Sequence, residues 1–197
     1  MNMQSYETRE DMIKGVVPVG GVGCEIGVYA GEFAEQLMRI AKPNKLILID
    51  GWDLIGPNLF TGDQDGNNCI SLSSETLFNV VTRRFSNKNV EIMKALSHDA
   101  IPKIQDELDW VYIDADHSYE GCLRDLLLIE KKIKPNGLIM GHDFEMNMKK
   151  AKVDWETRFN IGVGRAVKEF CNTRGWKVIA KGNDGGVSFS LKRISEA

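Results

Sequence analysis

Short runs of apolar and β-branched residues alternate along the chain with longer segments in which apolar residues recur every three or four positions. This alternation is typical of consecutive βαβ units and predicts a parallel sheet with helices on its faces. Clusters of Gly, Asn and Asp separate the units and mark the loops between them. The predicted strands are Val22–Val28, Lys45–Asp50, Val90–Leu96, Asp109–Asp114, Leu138–Gly141, Trp176–Ala180 and Val187–Lys192.

Helical periodicity fills the segments between these strands. In the first of them, Phe33, Leu37 and Ile40 share one face. We expect turns at residues 135–137 and 182–186, the second of which joins the last two strands as a hairpin. The pattern therefore predicts an α/β fold with a mostly parallel seven-stranded sheet and a C-terminal antiparallel hairpin. The predicted helices are Glu32–Ala41, Ser74–Phe85, Ala100–Gln105, Tyr119–Ile133 and Gly164–Arg174.

Length, charge and cysteine content narrow the class of protein. A chain of 197 residues fits one domain, 1–197, which could also be a module of a larger protein. The net charge of −3 and the scattered basic residues disfavour a nucleic-acid partner. No apolar run predicts a membrane span, and the polar N-terminal segment lacks the apolar core of a signal peptide. We therefore expect a cytoplasmic protein whose four cysteines are free thiols, Cys24, Cys69, Cys122 and Cys171.

The junction of the first strand and the first helix carries a Gly-rich turn, Glu25-Ile-Gly27-Val-Tyr29-Ala-Gly31. Glycines there let the backbone approach a ligand closely, and the following helix presents its N-terminal amides to that ligand. The spacing does not match the G-x-G-x-x-G of a dinucleotide site, and the acid would repel a diphosphate. An S-adenosylmethionine site has no phosphate to bind and tolerates an acid near its cationic methionyl end. The alternative is a Gly-rich turn that binds nothing.

Asp50 ends the second strand, where a carboxylate can accept hydrogen bonds from both ribose hydroxyls of a nucleoside. Trp52 lies close enough in sequence to cover one face of an adenine. The structural alternatives are an aspartate that caps the loop and a tryptophan that packs in the core. In combination with the Gly-rich turn, we favour nucleoside binding.

Five successive motifs resemble those of class I S-adenosylmethionine-dependent methyltransferases. The Gly-rich turn, Asp50 and residues 95–102 (Ala-Leu-Ser-His-Asp-Ala-Ile-Pro) are similar to motifs of catechol O-methyltransferase-like enzymes. Residues 111–120 (Val-Tyr-Ile-Asp-Ala-Asp-His-Ser-Tyr-Glu) and 138–144 (Leu-Ile-Met-Gly-His-Asp-Phe) resemble the branch of macrocin O-methyltransferase and cephalosporin hydroxylase-like proteins. Each motif alone is weak, but five in order at predicted strand ends form a specific pattern. The resemblance covers residues 21–186 and implies the Rossmann-like methyltransferase fold.

The resemblance implies roles for residues on the cofactor side. The Gly-rich turn would surround the methionyl part of S-adenosylmethionine, Asp50 would hold the ribose, and Ser97 and His98 would contact the adenine. His98 departs from the residue that catechol enzymes usually carry, and a plain surface histidine is the alternative. The predicted cofactor-binding residues are Glu25, Gly27, Tyr29, Gly31, Asp50, Trp52, Ser97, His98 and Asp114.

Acids and histidines cluster after the fourth and fifth strands, at Asp114, Asp116, His117, His142 and Asp143. In an open parallel sheet these strand ends meet at the ligand crevice. An alcohol is a poor nucleophile at neutral pH, so a base or a metal ion must assist methyl transfer to its oxygen. His117 is the candidate base, because imidazole titrates in the useful range. The alternative is that Asp116 and His117 only cap the following helix.

The resemblance also implies a metal site. In the catechol-type relatives, positions that match Asp114, His142 and Asp143 hold a metal ion, and a basic residue matches His117. Magnesium prefers oxygen ligands, so His142 departs from the pattern and shifts the preference toward manganese or iron. We expect Mg²⁺ or Mn²⁺ at this site. The predicted catalytic residues are His117, Asp114, Asp116 and His142.

Two irregular segments, residues 51–73 and 143–162, flank the same crevice and are expected to form the acceptor site. Trp155 and Arg158 are candidates for holding a sugar or a charged group, with ordinary loop packing as the alternative. The favoured function is O-methylation of a small molecule, preferably a sugar or glycan hydroxyl, by a chain that could form a homodimer. The rival hypotheses are a metal-dependent hydroxylase of the cephalosporin hydroxylase-like type and a domain that binds S-adenosylmethionine without catalysis.

Overall fold

One sheet organises the part of the chain that is described. A computed structural model describes residues 3–52, 73–145, 162–184 and 186–194. The strands are β1 (Gln4–Tyr6), β2 (Val22–Ile26), β3 (Lys45–Asp50), β4 (Val90–Lys94), β5 (Leu108–Ile113), β6 (Ile133–Gly141), β7 (Trp176–Asp184) and β8 (Gly186–Arg193). Their order across the sheet is β1-β7-β8-β6-β5-β2-β3-β4. Only the pairs that include β8 are antiparallel, which confirms the mostly parallel sheet and the C-terminal hairpin.

The helix after β2 shows how local sequence sets the bounds of an element. It begins after Gly31, whose φ of 84° lies in the left-handed region, and it ends before Lys42, which has a φ of 44°. Leu37 is among its buried residues, as the apolar spacing predicts. The described helices are α1 (Arg9–Val16), α2 (Glu32–Ala41), α3 (Ser74–Phe85), α4 (Ser97–Ala100), α5 (Tyr119–Ile129) and α6 (Val163–Arg174), with a 3₁₀ turn at Ile101–Lys103.

The apolar core lies on both faces of the sheet. Along β3, Ile47 and Ile49 belong to one buried cluster, whereas Leu46 and Leu48 belong to another. Successive side chains of a strand point to opposite faces, so both faces of this strand are covered. Burial of each such side chain stabilises the fold by roughly 1.5 to 3 kcal/mol. This double burial explains why β3 is a continuous apolar run instead of an alternating one.

The N-terminal segment differs from the expectation, because it adds an eighth strand and a helix. β1 pairs in parallel with β7, and α1 follows it directly. Thr8 caps α1, since its side chain accepts a hydrogen bond of 3.1 Å from the backbone N–H of Asp11. A three-residue edge strand and a helix that buries only Met12 and Ile13 leave almost no hydrophobic pattern to detect. The predicted count of seven strands was wrong for this reason.

The turn predicted at residues 135–137 was also wrong, because these residues lie inside β6. The pairing of β6 with β5 shifts register between Leu108 and Trp110, so the Pro-Asn-Gly segment forms an irregularity within the strand. Cys24, Cys122 and Cys171 are free, as expected, and Cys69 lies outside the described residues. In the described part of the chain, no helix combines the length and the apolarity needed to cross a membrane.

Candidate functional site

A cleft of about 760 Å³ opens at the carboxyl ends of the central strands. The strand order diverges at β2, with β3 and β4 on one side and β5 and β6 on the other. Such a switch point is where open α/β sheets bind their ligands, because the loops part on either side of it. We call the walls contributed by the ends of β2, β3 and β4 the cofactor half. The walls contributed by the ends of β5 and β6 form the acceptor half.

Gly27 joins the two halves of the cleft. Its φ is 87°, and a Cβ at this position would collide with the main-chain carbonyl oxygen of Asp114. Only glycine therefore lets the turn after β2 approach the end of β5 this closely. Gly31 has a different role. It lies at the start of α2, outside the cleft wall, and faces Phe85 at the end of α3. The structure thus brings Gly27, but not Gly31, to the candidate site.

Glu25 is a buried acid in the cleft wall. It is 1% exposed, and its Oε2 has no hydrogen-bond partner among the described residues. Burial raises the pKa of Glu25 well above its usual value, and the charges of Asp114 and Asp50 raise it further. The charge of Arg9 opposes this shift, but a buried carboxylate with one oxygen that lacks a hydrogen bond is costly. A cationic ligand in the cleft would offset that cost.

Asp50 organises the Gly-rich turn. Its Oδ2 accepts hydrogen bonds from the backbone N–H groups of Val28 and Tyr29, at 2.8 and 2.9 Å, and its Oδ1 accepts one from Trp52 N–H at 2.8 Å. A carboxylate has about four acceptor positions, so one remains for a ligand. Asp50 and Tyr29 both line the cleft, as predicted.

Trp52 does not line the cleft. Its indole is fully buried, packs edge-on against Phe78 and donates a hydrogen bond of 2.8 Å to the main-chain oxygen of Tyr29. The core alternative therefore describes this residue, and it is not placed to cover an adenine.

Ser97 and His98 form the far wall of the cofactor half, just after β4. Ser97 Oγ donates a hydrogen bond of 2.7 Å to Asp125 Oδ1, and Asp125 is completely buried on α5. Burial raises the pKa of Asp125 to about 6, although the Ser97 hydrogen bond and the charge of Arg124 oppose the shift. His98 Nδ1 is buried and has no hydrogen-bond partner in the described part of the chain.

The acceptor half is built around the imidazole of His117. Its Nε2 lies 3.0 Å from Asp114 Oδ1, and its Nδ1 lies 3.3 Å from Asp143 Oδ2. The hydrogen bond with Asp114 raises the pKa of His117 above its usual value, despite partial burial. Because both ring nitrogens lie close to carboxylates, the arrangement favours the imidazolium, which carries an N–H on each nitrogen.

The same three side chains form a candidate metal centre. One ligand atom from each of Asp114, His117 and Asp143 lies within 4.8 Å of the others. The predicted set was Asp114, His142 and Asp143, whereas the group whose atoms lie together in the structure contains His117 in place of His142. His142 lies behind Asp143, with its Nδ1 3.0 Å from Asp143 Oδ1, and this hydrogen bond is the main cause that lowers the pKa of Asp143.

Asp116 is at the edge of the cleft and stabilises the start of α5. Its Oδ1 accepts a hydrogen bond of 3.0 Å from the backbone N–H of Ser118, and Ser118 caps the helix. The capping alternative therefore describes Asp116, which is not part of the His117 cluster. Trp155 and Arg158 lie outside the described residues, so their predicted roles remain predictions.

The sequence analysis assigned no role to Arg9, which lines the cleft, or to Asp125, which lies behind it. Arg9, at the start of α1, lines the cleft and places its guanidinium 4.1 Å from the ring centroid of Phe33. The Thr-x-x-Asp capping pattern at residues 8–11 was the one available signal for this helix. Asp125 was detectable as a charged residue on the apolar face that α5 forms with Cys122, Leu126 and Ile129.

Comparison with known proteins decides the family. A family profile described as a methyltransferase domain matches residues 24–144, which is more than half of the chain. The chain belongs to the methyltransferase-domain family. The match runs from Cys24 in β2 to Phe144 just after β6, so it includes both halves of the cleft. No curated protein sequence matches this methyltransferase domain significantly.

Solved structures confirm the fold at low sequence identity. A putative caffeoyl-CoA O-methyltransferase from Staphylococcus aureus has a TM-score of 0.63 and 15% identity, over 93% of this chain and 82% of that one. The N-methyltransferase NodS from Bradyrhizobium japonicum WM9 has a TM-score of 0.62 and 12% identity, over 95% of both chains. An O-methyltransferase from Bacillus cereus in complex with SAH has a TM-score of 0.60 and 13% identity, over 93% and 78%. The resemblance to class I methyltransferases is therefore confirmed, whereas the acceptor atoms of these similar proteins differ.

Proposed function

We propose that this chain binds S-adenosylmethionine in the cofactor half of the cleft and transfers its methyl group to an oxygen of a small acceptor. A sugar or glycan hydroxyl is the favoured acceptor, because the acceptor half offers carboxylates and imidazole to hydroxyl groups. The observation that carries the proposal is the continuity of the cleft, in which Glu25 and Asp50 share one cavity with Asp114 and His117.

The cofactor half suits the cationic and hydroxyl groups of S-adenosylmethionine. The unpartnered oxygen of Glu25 is matched to a cation such as the methionyl ammonium. The remaining acceptor position of Asp50 is matched to a ribose hydroxyl. A diphosphate would meet Glu25, Asp50 and Asp114 together, which disfavours a dinucleotide in the same place.

The acceptor half suits the activation of a hydroxyl. In the transfer, the acceptor oxygen attacks the methyl carbon, the carbon–sulfur bond breaks, the sulfonium becomes a neutral thioether and the hydroxyl proton must leave. Because its two carboxylate neighbours favour the imidazolium, His117 has to lose a proton before it can accept one. Both candidate roles of His117, as a ligand of a cation and as a general base, require this deprotonation.

The donor set of Asp114, His117 and Asp143 fits a divalent cation. Two carboxylates and one imidazole suit Mn²⁺ better than Mg²⁺, because magnesium prefers oxygen ligands. A cation held there would lower the pKa of the acceptor hydroxyl. His142 supports this set through its hydrogen bond to Asp143.

Titration calorimetry with S-adenosylhomocysteine, S-adenosylmethionine and NAD tests the cofactor assignment. We expect both adenosyl ligands to bind and NAD not to bind. Glu25→Gln removes the charge that faces the ammonium and should weaken adenosyl binding at least about 10-fold, as expected for a charge-assisted hydrogen bond. Glu32→Gln is the matched control, because Glu32 lines the same cleft but its side chain is 64% exposed. Tight NAD binding, or equal affinities of Glu25→Gln and the wild type, would reject the assignment.

The acceptor is tested by transfer of a labelled methyl group to a panel of sugars, catechols, amines and a structured RNA. Oxygen methylation of a sugar supports the whole proposal. Methylation of a nitrogen atom or of RNA would support the methyltransferase assignment but contradict the proposed acceptor. Oxygen consumption that requires iron would instead support the hydroxylase hypothesis.

A further inference from the structure

Asp125 is a buried carboxylate directly behind the cofactor half of the cleft. It is fully buried on α5, among residues of the apolar face of that helix. Its Oδ1 accepts the Ser97 hydroxyl at 2.7 Å, and its Oδ2 has no hydrogen-bond partner among the described residues. An apolar side chain of similar size would fill this position without the desolvation of a carboxylate. A buried acid at this position therefore points to a task that an apolar residue could not perform.

The hydrogen bond fixes which way the Ser97 hydroxyl points. A serine hydroxyl has one proton to donate and two lone pairs to accept with. Since the proton is held by Asp125, only lone pairs remain for the cleft that Ser97 lines. Ser97 can thus accept a hydrogen bond from a ligand but cannot donate one to it.

We propose that Asp125 is a positioning residue that makes Ser97 an obligate acceptor, and that this selects a 6-aminopurine over a 6-oxopurine in the nucleoside ligand. The inference rests on the proposed function, in which the ligand carries an adenosyl group. The exocyclic amino group is the hydrogen-bond donor of the adenine base, and it matches the lone pairs of Ser97. In a 6-oxopurine an acceptor replaces that donor, so two acceptors face each other.

The test compares S-adenosylhomocysteine with S-inosylhomocysteine, which has an oxo group at C6 and a hydrogen on N1, by titration calorimetry. The wild type should bind the inosyl ligand at least about 10-fold more weakly, because a mismatched polar pair is left unsatisfied. Asp125→Leu removes the acceptor behind Ser97, so the hydroxyl can turn toward the cleft. The ratio of the affinities for the adenosyl and inosyl ligands should then fall to about 3-fold or less, because the discrimination by this one hydrogen bond is lost.

A double-mutant cycle separates positioning from general structural support. Ser97→Ala should also remove the discrimination, and Asp125→Leu should have no further effect on the ratio in the Ser97→Ala background. Leu126→Met, a volume-conserving change on the same helix face, should retain the wild-type ratio.

The outcomes distinguish this inference from the proposed function. The inference is overturned if Asp125→Leu keeps the wild-type affinity ratio. It is also overturned if Asp125→Leu changes the ratio as much in the Ser97→Ala background as in the wild type. If Asp125→Leu does not fold, the Ser97→Ala ratio decides alone, since retained discrimination there also overturns it. Failure of the wild type to bind S-adenosylhomocysteine overturns the proposed function instead.

Discussion

The two halves of the cleft are built by different physical means. In the cofactor half, backbone groups and buried acids do most of the work: Glu25 is 1% exposed and Asp50 is held by three main-chain N–H groups. In the acceptor half, side chains contact one another, and the side chain of His117 is 38% exposed. The geometry of the cofactor half is therefore set by the folding of the sheet. The geometry of the acceptor half is set by contacts among ionisable side chains.

This difference separates binding from chemistry. A site formed by buried backbone and acids is rigid and suits a ligand that is the same in every turnover. A cluster of half-buried carboxylates and imidazoles responds to protons and cations, so it suits an acceptor that has to be activated. Variants should therefore affect the two functions separately, unless they act where the halves meet.

The largest separation should come from His117→Ala. Loss of the imidazole removes both the candidate base and a cation-holding group, so the methyl-transfer rate should fall roughly 10²- to 10⁴-fold. The affinity for S-adenosylhomocysteine should stay within about 2-fold, as for other surface changes. Steady-state kinetics and calorimetry on the same preparation check this expectation.

Glu120→Gln is the control for His117→Ala, because it removes a charge at the start of α5 without touching the cluster. Assays after chelation, with Mn²⁺ or Mg²⁺ added back, decide between the two roles of His117. Chelation that leaves the rate unchanged would assign it to proton transfer alone. Parallel losses of affinity and rate in His117→Ala would contradict the separation of the halves.

Gly27→Ala should impair cofactor binding and methyl transfer together, because Gly27 lies where the two halves of the cleft meet. A methyl group there would collide with the carbonyl oxygen of Asp114, and the positive φ adds strain. We expect the free energy of unfolding to fall by roughly 3 kcal/mol, with affinity and rate impaired together. Gly20→Ala is the control, since Gly20 has a similar positive φ of 88° but a Cβ there would meet only the Asn44 side chain, at an ordinary van der Waals distance of 3.7 Å. Equal losses of stability, measured by urea unfolding, would show that strain and not the contact matters.

A smaller effect should be a pH dependence of stability that arises from the buried carboxyl group of Asp125. The raised pKa of Asp125, about 6, means that the folded protein binds more protons than the unfolded chain between pH 4 and 6. Stability should therefore fall as pH rises through this range, by roughly 2 kcal/mol from this group. Arg124, Asp116 and His98 also face Asp125, and they remain in the variant that isolates it.

That variant is Asp125→Leu, which cannot titrate at this position. Urea unfolding at pH 4.5 and pH 7 should show a decrease in the wild type that is larger than the decrease in the variant. The same pH dependence in both proteins would mean that other groups, such as Glu25, carry the effect.

Much of this architecture could be predicted because strand ends follow from hydrophobic patterning. Once β2, β3 and β5 are located, Glu25, Asp50 and Asp114 necessarily meet at one edge of a parallel sheet. The hairpin of β7 and β8 likewise followed from its Gly-rich joint. These predictions need only the position of a residue along a strand.

The positions of the other site residues depend on how the backbone turns after each strand, and the hydrophobic pattern carries no information about those turns. Asp143 adopts a left-handed φ of 57°, so Asp143 turns toward His117 while His142 packs near Gly186. The candidate metal centre in the structure therefore contains His117 where the predicted set has His142, and the predicted set remains a prediction. Trp52 has a φ of 47° and turns into the core for the same kind of reason.

The pairing of β1 with β7 affects when the site is completed during synthesis. Gln4 lies opposite Ala180, so β1 is synthesised well before the strand with which it pairs. A nascent chain could assemble β2 to β6 in order, but it would have no partner strand for β1 until β7 emerged. Closing so long a loop is entropically unfavourable and slow. The helix that carries Arg9 should therefore dock late, and a half-made chain would present a cleft with one wall missing.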